Sequence, residues 1–288
     1  MDYNETTTYN PVLLKLFPLI HYPDYNAAIG QMKEAARFHK MCRVIGHPGA
    51  GKTTLLKEFL SINEQACFVS PPKGCRTKDL LALMGKPLGY HCSNGTICNA
   101  TRDMIAFLNQ RGPDTVFLID ESDNLVSKGK IDHIDRLDTL RYIWDHTRLH
   151  TSFIFAAPYD LEVRLQKSSE QISNSQFYRR CSIHQLRGMP QEVAREFLHC
   201  IEKEFHVAFD TIALNLLLKR ITAVENGGLG ITAEILEKCL RLVLPQWCDY
   251  YTAIEQDVER EYALHIFAEN KDAPISRDLV ENAMATAR

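Results

Sequence analysis

Residues 46–53 read Gly-His-Pro-Gly-Ala-Gly-Lys-Thr, which fits G-x-x-x-x-G-K-[ST] at every fixed position. The flanks supply the context that the pattern requires. Residues 42–45 read as a short buried strand, and the run that begins at Thr54 reads as a helix. Few conformations suit such a loop. Gly46, Gly49 and Gly51 let the backbone curl with N–H groups facing inward. Residues Gly46, His47, Pro48, Gly49, Ala50, Gly51, Lys52, Thr53 and Thr54 would then cradle a β-phosphate, helped by the positive end of the helix. Lys52 would reach the β- and γ-phosphates, and Thr53 would offer its hydroxyl to magnesium. ATP and Mg2+ are the cofactors this pattern implies. The plain alternative, a glycine-rich turn that matches by chance, is disfavoured by the length and setting of the match.

A second segment completes the chemistry. Val116-Phe-Leu-Ile-Asp120-Glu121 is four apolar residues followed by two carboxylates. A buried strand that ends in acids places them at its carboxyl end, where ligands bind in open parallel sheets. Asp120 would join Thr53 in orienting the magnesium, and Glu121 would activate the attacking water. Alone, the pattern often marks no more than a strand entering a polar turn. One strand away from a phosphate loop it argues for hydrolysis, and so for an ATPase.

The chain alternates strands and helices as far as residue 188. Strands are predicted at 67–70, 115–121, 152–157 and 182–186, with helices at 26–39, 77–84, 97–109 and 131–148 and Thr77 as an N-cap. Such alternation implies an α/β domain with a parallel sheet covered on both faces. From Met189 the pattern is helical only, at 191–205, 211–223, 232–242, 254–268 and 276–286. The predicted organisation is an N-terminal arm and P-loop α/β ATPase domain over 1–188, then an all-helical lid over 189–288.

Composition narrows the setting. The chain has 288 residues, 45% hydrophobic and 24% charged, as a soluble globular protein does. The start, Met-Asp-Tyr-Asn-Glu, is not a signal peptide, and the apolar runs are too short to span a bilayer, so a cytoplasmic protein without membrane partners is expected. Cys42, Cys67, Cys200 and Cys239 fall at apolar positions, as reduced core thiols do. His91, Cys92 and Cys98 with Cys75 suggest zinc only weakly, since no CxxC pair is present. The net charge of −3 argues mildly against nucleic acid. Any DNA contact must come from a local patch or from weak sites repeated in an assembly.

The pair 46–53 and 116–121, followed by a helical domain, is the layout of AAA+ ATPases. Three further positions usually complete their site. The fourth strand ends Ala156-Ala157-Pro158-Tyr159, without the usual Asn, Ser or Thr. Arg179 and Arg180, ahead of the fifth strand, are the candidates for an arginine that reaches a neighbouring subunit's γ-phosphate; a solvated basic turn is the alternative. Ile231 stands where a lid arginine would be, which suggests slow or partner-stimulated hydrolysis.

Several segments carry a closer likeness: Cys42-Arg-Val-Ile-Gly, Lys73-Gly-Cys-Arg-Thr-Lys-Asp-Leu, Asn94-Gly-Thr-Ile, Ile119-Asp-Glu-Ser-Asp-Asn-Leu, and Gly228-Leu-Gly with Glu234-Ile-Leu. In this order and spacing the chain resembles the TnsC/TniB/MuB group of AAA+ transposition regulators, most closely the small TnsC proteins of CRISPR-associated transposons. The resemblance implies an ATP-dependent homo-oligomer, a helical filament or ring of about six or seven subunits per turn, on double-stranded DNA. It implies recruitment of a transposase, with a target-selection protein of the TniQ type or an RNA-guided Cas complex as further partners, and hydrolysis that drives disassembly. It also implies backbone contacts to DNA from Lys78 and Thr96, with Lys73 and Arg76 in the same patch. A lysine and a hydroxyl at helix starts can hold phosphates without reading sequence; the alternative is a solvated lysine and an ordinary N-cap. Two other readings stand beside this one. One is a nucleotide-gated scaffold with little turnover. The other is a different AAA+ DNA-transaction ATPase, such as a helicase loader or replication initiator.

Overall fold

The computed structural model describes residues 13–92, 95–126, 135–161, 180–223, 228–268 and 270–287. Five strands form one sheet: β1 (Met41–Gly46), β2 (Ala66–Val69), β3 (Thr115–Ile119), β4 (Thr151–Pro158) and β5 (Cys181–Leu186). Their order is β2-β3-β4-β1-β5 and every pairing is parallel. The apolar runs explain this arrangement. β1 and β3 are buried along their whole length, as strands covered on both faces must be. The register sets Gly46 beside Pro158 on one side and Leu186 on the other. β1 therefore delivers the phosphate loop between the ends of β4 and β5.

After a single turn, α1 (Leu13–Leu16), the sheet is flanked by α2 (Pro23–Arg37), α3 (Lys52–Ile62), α4 (Thr77–Gly85), α5 (Ile97–Gln110) and α6 (Asp135–Thr147). Residues 131–134, where the sixth helix was expected to begin, lie outside the described residues. Alternate sheet residues Phe117, Ile119, Phe153 and Phe155 share one buried cluster with Leu80, Met84, Met104 and Leu140 of the helices. The rings of Phe117 and Phe153 stack at 5.2 Å. This packing fixes the strand ends that carry the site. Thr77 is not the cap of α4. It is buried inside the first turn, and Arg76 takes the cap position, with its N–H donating to Asp79 Oδ2 at 3.2 Å. The third strand also stops at Ile119, two residues before the expected end, so both carboxylates lie in the turn beyond it.

Contacts group the chain into two compact units: Pro23–His47 with Gly51–Arg187, and the described residues up to Tyr22 with Pro48–Ala50 and those from Gly188 onward. The second unit holds α7 (Gln191–Phe205), α8 (Thr211–Thr222), α9 (Gly228–Val243), α10 (Trp247–Glu255), α11 (Arg260–Ala263) and α12 (Arg277–Thr286). Phe205, Trp247, Tyr250 and Phe267 form its aromatic centre, with Phe205 5.6 Å from Trp247 and 5.5 Å from Phe267. Phe17 meets Phe205 edge-on at 6.2 Å, and the Tyr250 hydroxyl donates to the Leu16 carbonyl at 2.7 Å.

This unit departs from the all-helical expectation in one place. β6 (Val207–Phe209) and β7 (Ala273–Ile275) pair in parallel. Three residues each are too few to show a period of two in sequence. The helix expected over 254–268 is also broken. α10 ends at Glu255, Asp257 adopts φ 61°, and α11 passes into a 3-10 turn at Leu264–Phe267. Among the described residues, no helix is long and apolar enough to cross a membrane.

Candidate nucleotide-binding site

Gly51 caps α3 at φ 90° and ψ 15°, a left-handed conformation that a residue with a Cβ adopts only under strain. The helix starts at Lys52, two residues before the sequence pattern placed it, so Lys52 and Thr53 belong to its first turn. The main-chain N–H groups of such a turn have no partner inside their own helix, which suits them to phosphate oxygens. The Lys52 amine donates to the carbonyls of Gly46 at 2.9 Å and His47 at 2.8 Å. It therefore lies folded along the loop it serves. Burial pulls its pKa from 10.5 down to about 8, against the opposing charges of Asp120, Asp123 and Glu121.

The acids meet the loop across the sheet. The Thr53 hydroxyl donates to Asp120 Oδ2 at 2.8 Å, and Asp120 Oδ1 accepts the Glu121 N–H at 2.9 Å. Asp120 is buried, and burial raises its carboxyl pKa against those two hydrogen bonds. A buried carboxylate paired with a threonine hydroxyl, both oxygen donors, suits a hard divalent cation whose charge would offset the cost of burial. The two residues thus fit the magnesium role expected of them.

Glu121 turns the chain away from β3 in a left-handed conformation, φ 45° and ψ 42°. This geometry is uncommon for a residue with a side chain, and it is stored at functional sites. It opens a 3-10 turn, Ser122–Leu125. Two side chains of that turn anchor it. The Ser122 hydroxyl donates to the Ala156 carbonyl of β4 at 2.9 Å. The Asn124 amide donates to Glu121 Oε2 at 3.0 Å and to the Pro71 carbonyl at 2.9 Å. Beyond the apolar tip of β4, the Tyr159 ring lies nearly parallel to that of His47, 17° apart at 6.2 Å. Sequence reading passed over Ser122, Asn124 and Tyr159 as agents in the site, because each meets a residue far away in the chain, Ala156, Pro71 and His47 respectively.

The remaining candidates are dispersed. Arg179 lies outside the described residues. Arg180 pairs with Asp145 of α6 at 3.6 Å, within its own chain. Lys73 and Arg76 are exposed in the loop after β2, where Arg76 Nε donates to Asp79 Oδ2 at 3.0 Å. Thr96 is the N-cap of α5 and accepts the Asn99 N–H at 3.3 Å. Its hydroxyl proton remains available to a phosphate. Lys78 is half-buried on α4. It lies near enough to Cys92, four residues before Thr96, to oppose the rise that burial imposes on that thiol.

In the helical unit, which includes Pro48–Ala50, the Gly230 N–H at the start of α9 donates to the Gly49 carbonyl at 3.2 Å. A Cβ at Gly230 would stand 2.8 Å from Gly49 Cα, so only glycine permits this approach. Tyr22, Ala50, Met189, Ile221 and Leu229 line a small cleft beside it.

The depressed Lys52 pKa has a measurable consequence. A phosphate ligand needs the charged amine, so a ligand that binds above pH 8 must draw a proton onto Lys52. Nucleotide binding is expected to take up protons between pH 8 and 10.5 and to weaken as pH rises through that window. Calorimetry in buffers of different ionisation enthalpy measures the uptake. Binding with no proton uptake at pH 8.5 would refute this role for Lys52.

Residues 37–165 match the family model of the AAA domain. Solved structures share the architecture. The ORC2 protein of Aeropyrum pernix, in ADPNP–ADP complexes, aligns with a TM-score of 0.64 at 13% identity, over 97% of this chain and 72% of that one. Cdc6p from Pyrobaculum aerophilum aligns at 0.62 and 13% identity, over 86% and 66%. Domain III of the Thermotoga maritima replication initiation protein DnaA aligns at 0.51 and 15% identity, over 91% and 99%. At these identities the likeness establishes the fold, which is that of AAA+ P-loop ATPases. No curated protein matches the chain in sequence.

Proposed function

We propose that this protein is an ATP-hydrolysing, DNA-associated AAA+ regulator of transposition, of the TnsC/TniB/MuB type, that assembles as a homo-oligomer on double-stranded DNA. The observation that carries the ATPase reading is the joined set Lys52, Thr53, Asp120 and Glu121, in which the threonine hydroxyl bonds the first acid and the second acid follows directly. Lys52 holds the β- and γ-phosphates, and Asp120 accepts the Thr53 hydroxyl beside them. Glu121 takes the proton from the attacking water as the oxygen bonds to the γ-phosphorus and the bond to the ADP oxygen breaks. Magnesium, held by Thr53 and Asp120, would neutralise charge that develops on the phosphate oxygens.

The DNA reading is supported by the placement of Lys78 near the segment that leads to Thr96, with Lys73 and Arg76 exposed nearby in sequence. One or two phosphate contacts per subunit suffice when many subunits share one duplex. Arg179 or Arg180 acting in trans would let one subunit sense the nucleotide of its neighbour. The transposition reading rests on the resemblance of the ordered sequence segments. Transposase and a TniQ-type or Cas partner follow from the same resemblance.

A second reading, an ATPase of DNA replication initiation, is favoured by the fold likeness to the ORC2 protein, Cdc6p and DnaA. Turnover stimulated by a transposase but not by a replicative helicase supports the first, and the reverse supports the second.

Binding to a labelled duplex of arbitrary sequence, with a slow ATP analogue and with ADP, tests the DNA contact. The Lys78→Ala/Thr96→Ala variant is expected to bind ~10-fold more weakly, with the salt slope reduced by about 1 for the lost lysine contact. An affinity and slope equal to wild type would remove these residues from the interface.

A further inference from the structure

Gly230 is the third residue of α9, and its N–H has no acceptor within its own helix. It donates instead to the Gly49 carbonyl at 3.2 Å. Nothing in its own backbone calls for glycine, since its φ lies outside the left-handed region. A Cβ at this position would meet Gly49 Cα at 2.8 Å, main chain against main chain. The glycine therefore serves the contact and not the helix.

Gly49 is the residue that needs holding. It sits at φ 77°, and with no side chain the peptide that follows it turns over at little cost. That peptide is trans, so its carbonyl and its N–H point in opposite directions. With the carbonyl bound to Gly230, the Ala50 N–H is aimed to the other side of the peptide. Ala50 is buried, and among the described residues its N–H meets no acceptor. A buried donor without an acceptor is costly, and a phosphate oxygen held by residues 46–54 is the acceptor that would satisfy it.

We propose that Gly230 is a positioning residue for the phosphate loop. By donating to the Gly49 carbonyl, it holds the Gly49–Ala50 peptide in the orientation that offers the Ala50 N–H to a β-phosphate. Given the nucleotide reading of the site, on which this inference rests, the start of α9 contributes to phosphate binding through main chain alone. Ile231 beside it has no charge to offer.

Calorimetric binding of ADP and of ATP with magnesium, together with steady-state turnover, tests this for full-length Gly230→Ala. Alanine suits a helix better than glycine, so α9 itself is not weakened and only the approach to Gly49 is lost. Kd for both nucleotides is expected to rise ~10-fold, the worth of one hydrogen bond to a charged oxygen. KM is expected to rise with it, at a kcat within about twofold of wild type, since a β-phosphate contact is made alike before and during the reaction. A merely structural role would do the reverse. The melting temperature and the active fraction would fall, and with them kcat and binding stoichiometry, at unchanged Kd. That result, or wild-type Kd and KM, would overturn the proposal. Wild-type protein carrying isotopic nitrogen in its 14 glycines gives a second test that needs no variant. The Gly230 amide is expected to exchange with solvent at least ~10-fold more slowly than that of exposed Gly112, and more slowly still with ADP bound. Exchange as fast as that of Gly112 in the ADP complex would overturn the proposal even where Gly230→Ala does not fold. Failure of the wild type to bind either nucleotide would instead defeat the nucleotide reading, and this inference with it.

Discussion

Glu121→Gln is expected to bind ATP as wild type does and to hydrolyse it ~10²-fold or more slowly. The substitution keeps the length and shape of the side chain. It also keeps an oxygen that can accept the Asn124 amide proton, so the turn that Glu121 opens has no reason to refold. What is lost is the ability to take a proton from water as the γ-phosphate is attacked. Asp120 cannot replace it. That carboxylate is buried, and its two oxygens are committed to the Thr53 hydroxyl and the Glu121 N–H. Nucleotide affinity from calorimetry, set beside single-turnover hydrolysis, separates the two effects. Hydrolysis within threefold of wild type would show that another group activates the water. The same variant should hold any ATP-dependent assembly in its ATP-bound form.

Lys52→Ala is expected to weaken ATP binding by ~10²-fold or more, because it removes the cation that meets two phosphates in a partly buried loop. The amine lies against the Gly46 and His47 carbonyls, and phosphate oxygens would draw it from these neutral partners to charged ones. Lys52→Arg is not expected to restore affinity. Its planar fork is larger than the loop is shaped for and cannot reproduce a compact ammonium. Equilibrium binding of a fluorescent ATP analogue measures both variants. Near wild-type affinity for Lys52→Ala would deny the loop its proposed ligand.

The loop and the two acids were legible in the sequence because their chemistry demands residues at fixed spacing on recognisable strands. The sheet was legible for a related reason: strands buried on both faces leave continuous apolar runs, as at 116–119 and 153–157. Contacts made across the sheet were not legible. Asn124 reaches Pro71 only because β2 and β3 are neighbours, and Tyr159 meets His47 only because Pro158 is in register with Gly46. Neither pairing follows from local pattern. The cap of α4 was misplaced by one residue because Thr77, the better capping side chain, is drawn into the core. β6 and β7 were too short to leave a periodic trace. The broken helix after α10 turns at Asp257, a residue whose sequence neighbours carry no proline or glycine to announce a turn.

Electron microscopy of the purified protein with linear duplex DNA, in a slow ATP analogue and in ADP, tests the central claim most directly. Regular filaments or rings on the duplex in the ATP analogue, absent in ADP and absent for Lys52→Ala, are the expected result. Particles that never assemble on DNA under either nucleotide, from a protein that binds ATP normally, would contradict it and would leave an AAA+ ATPase whose substrate is another protein.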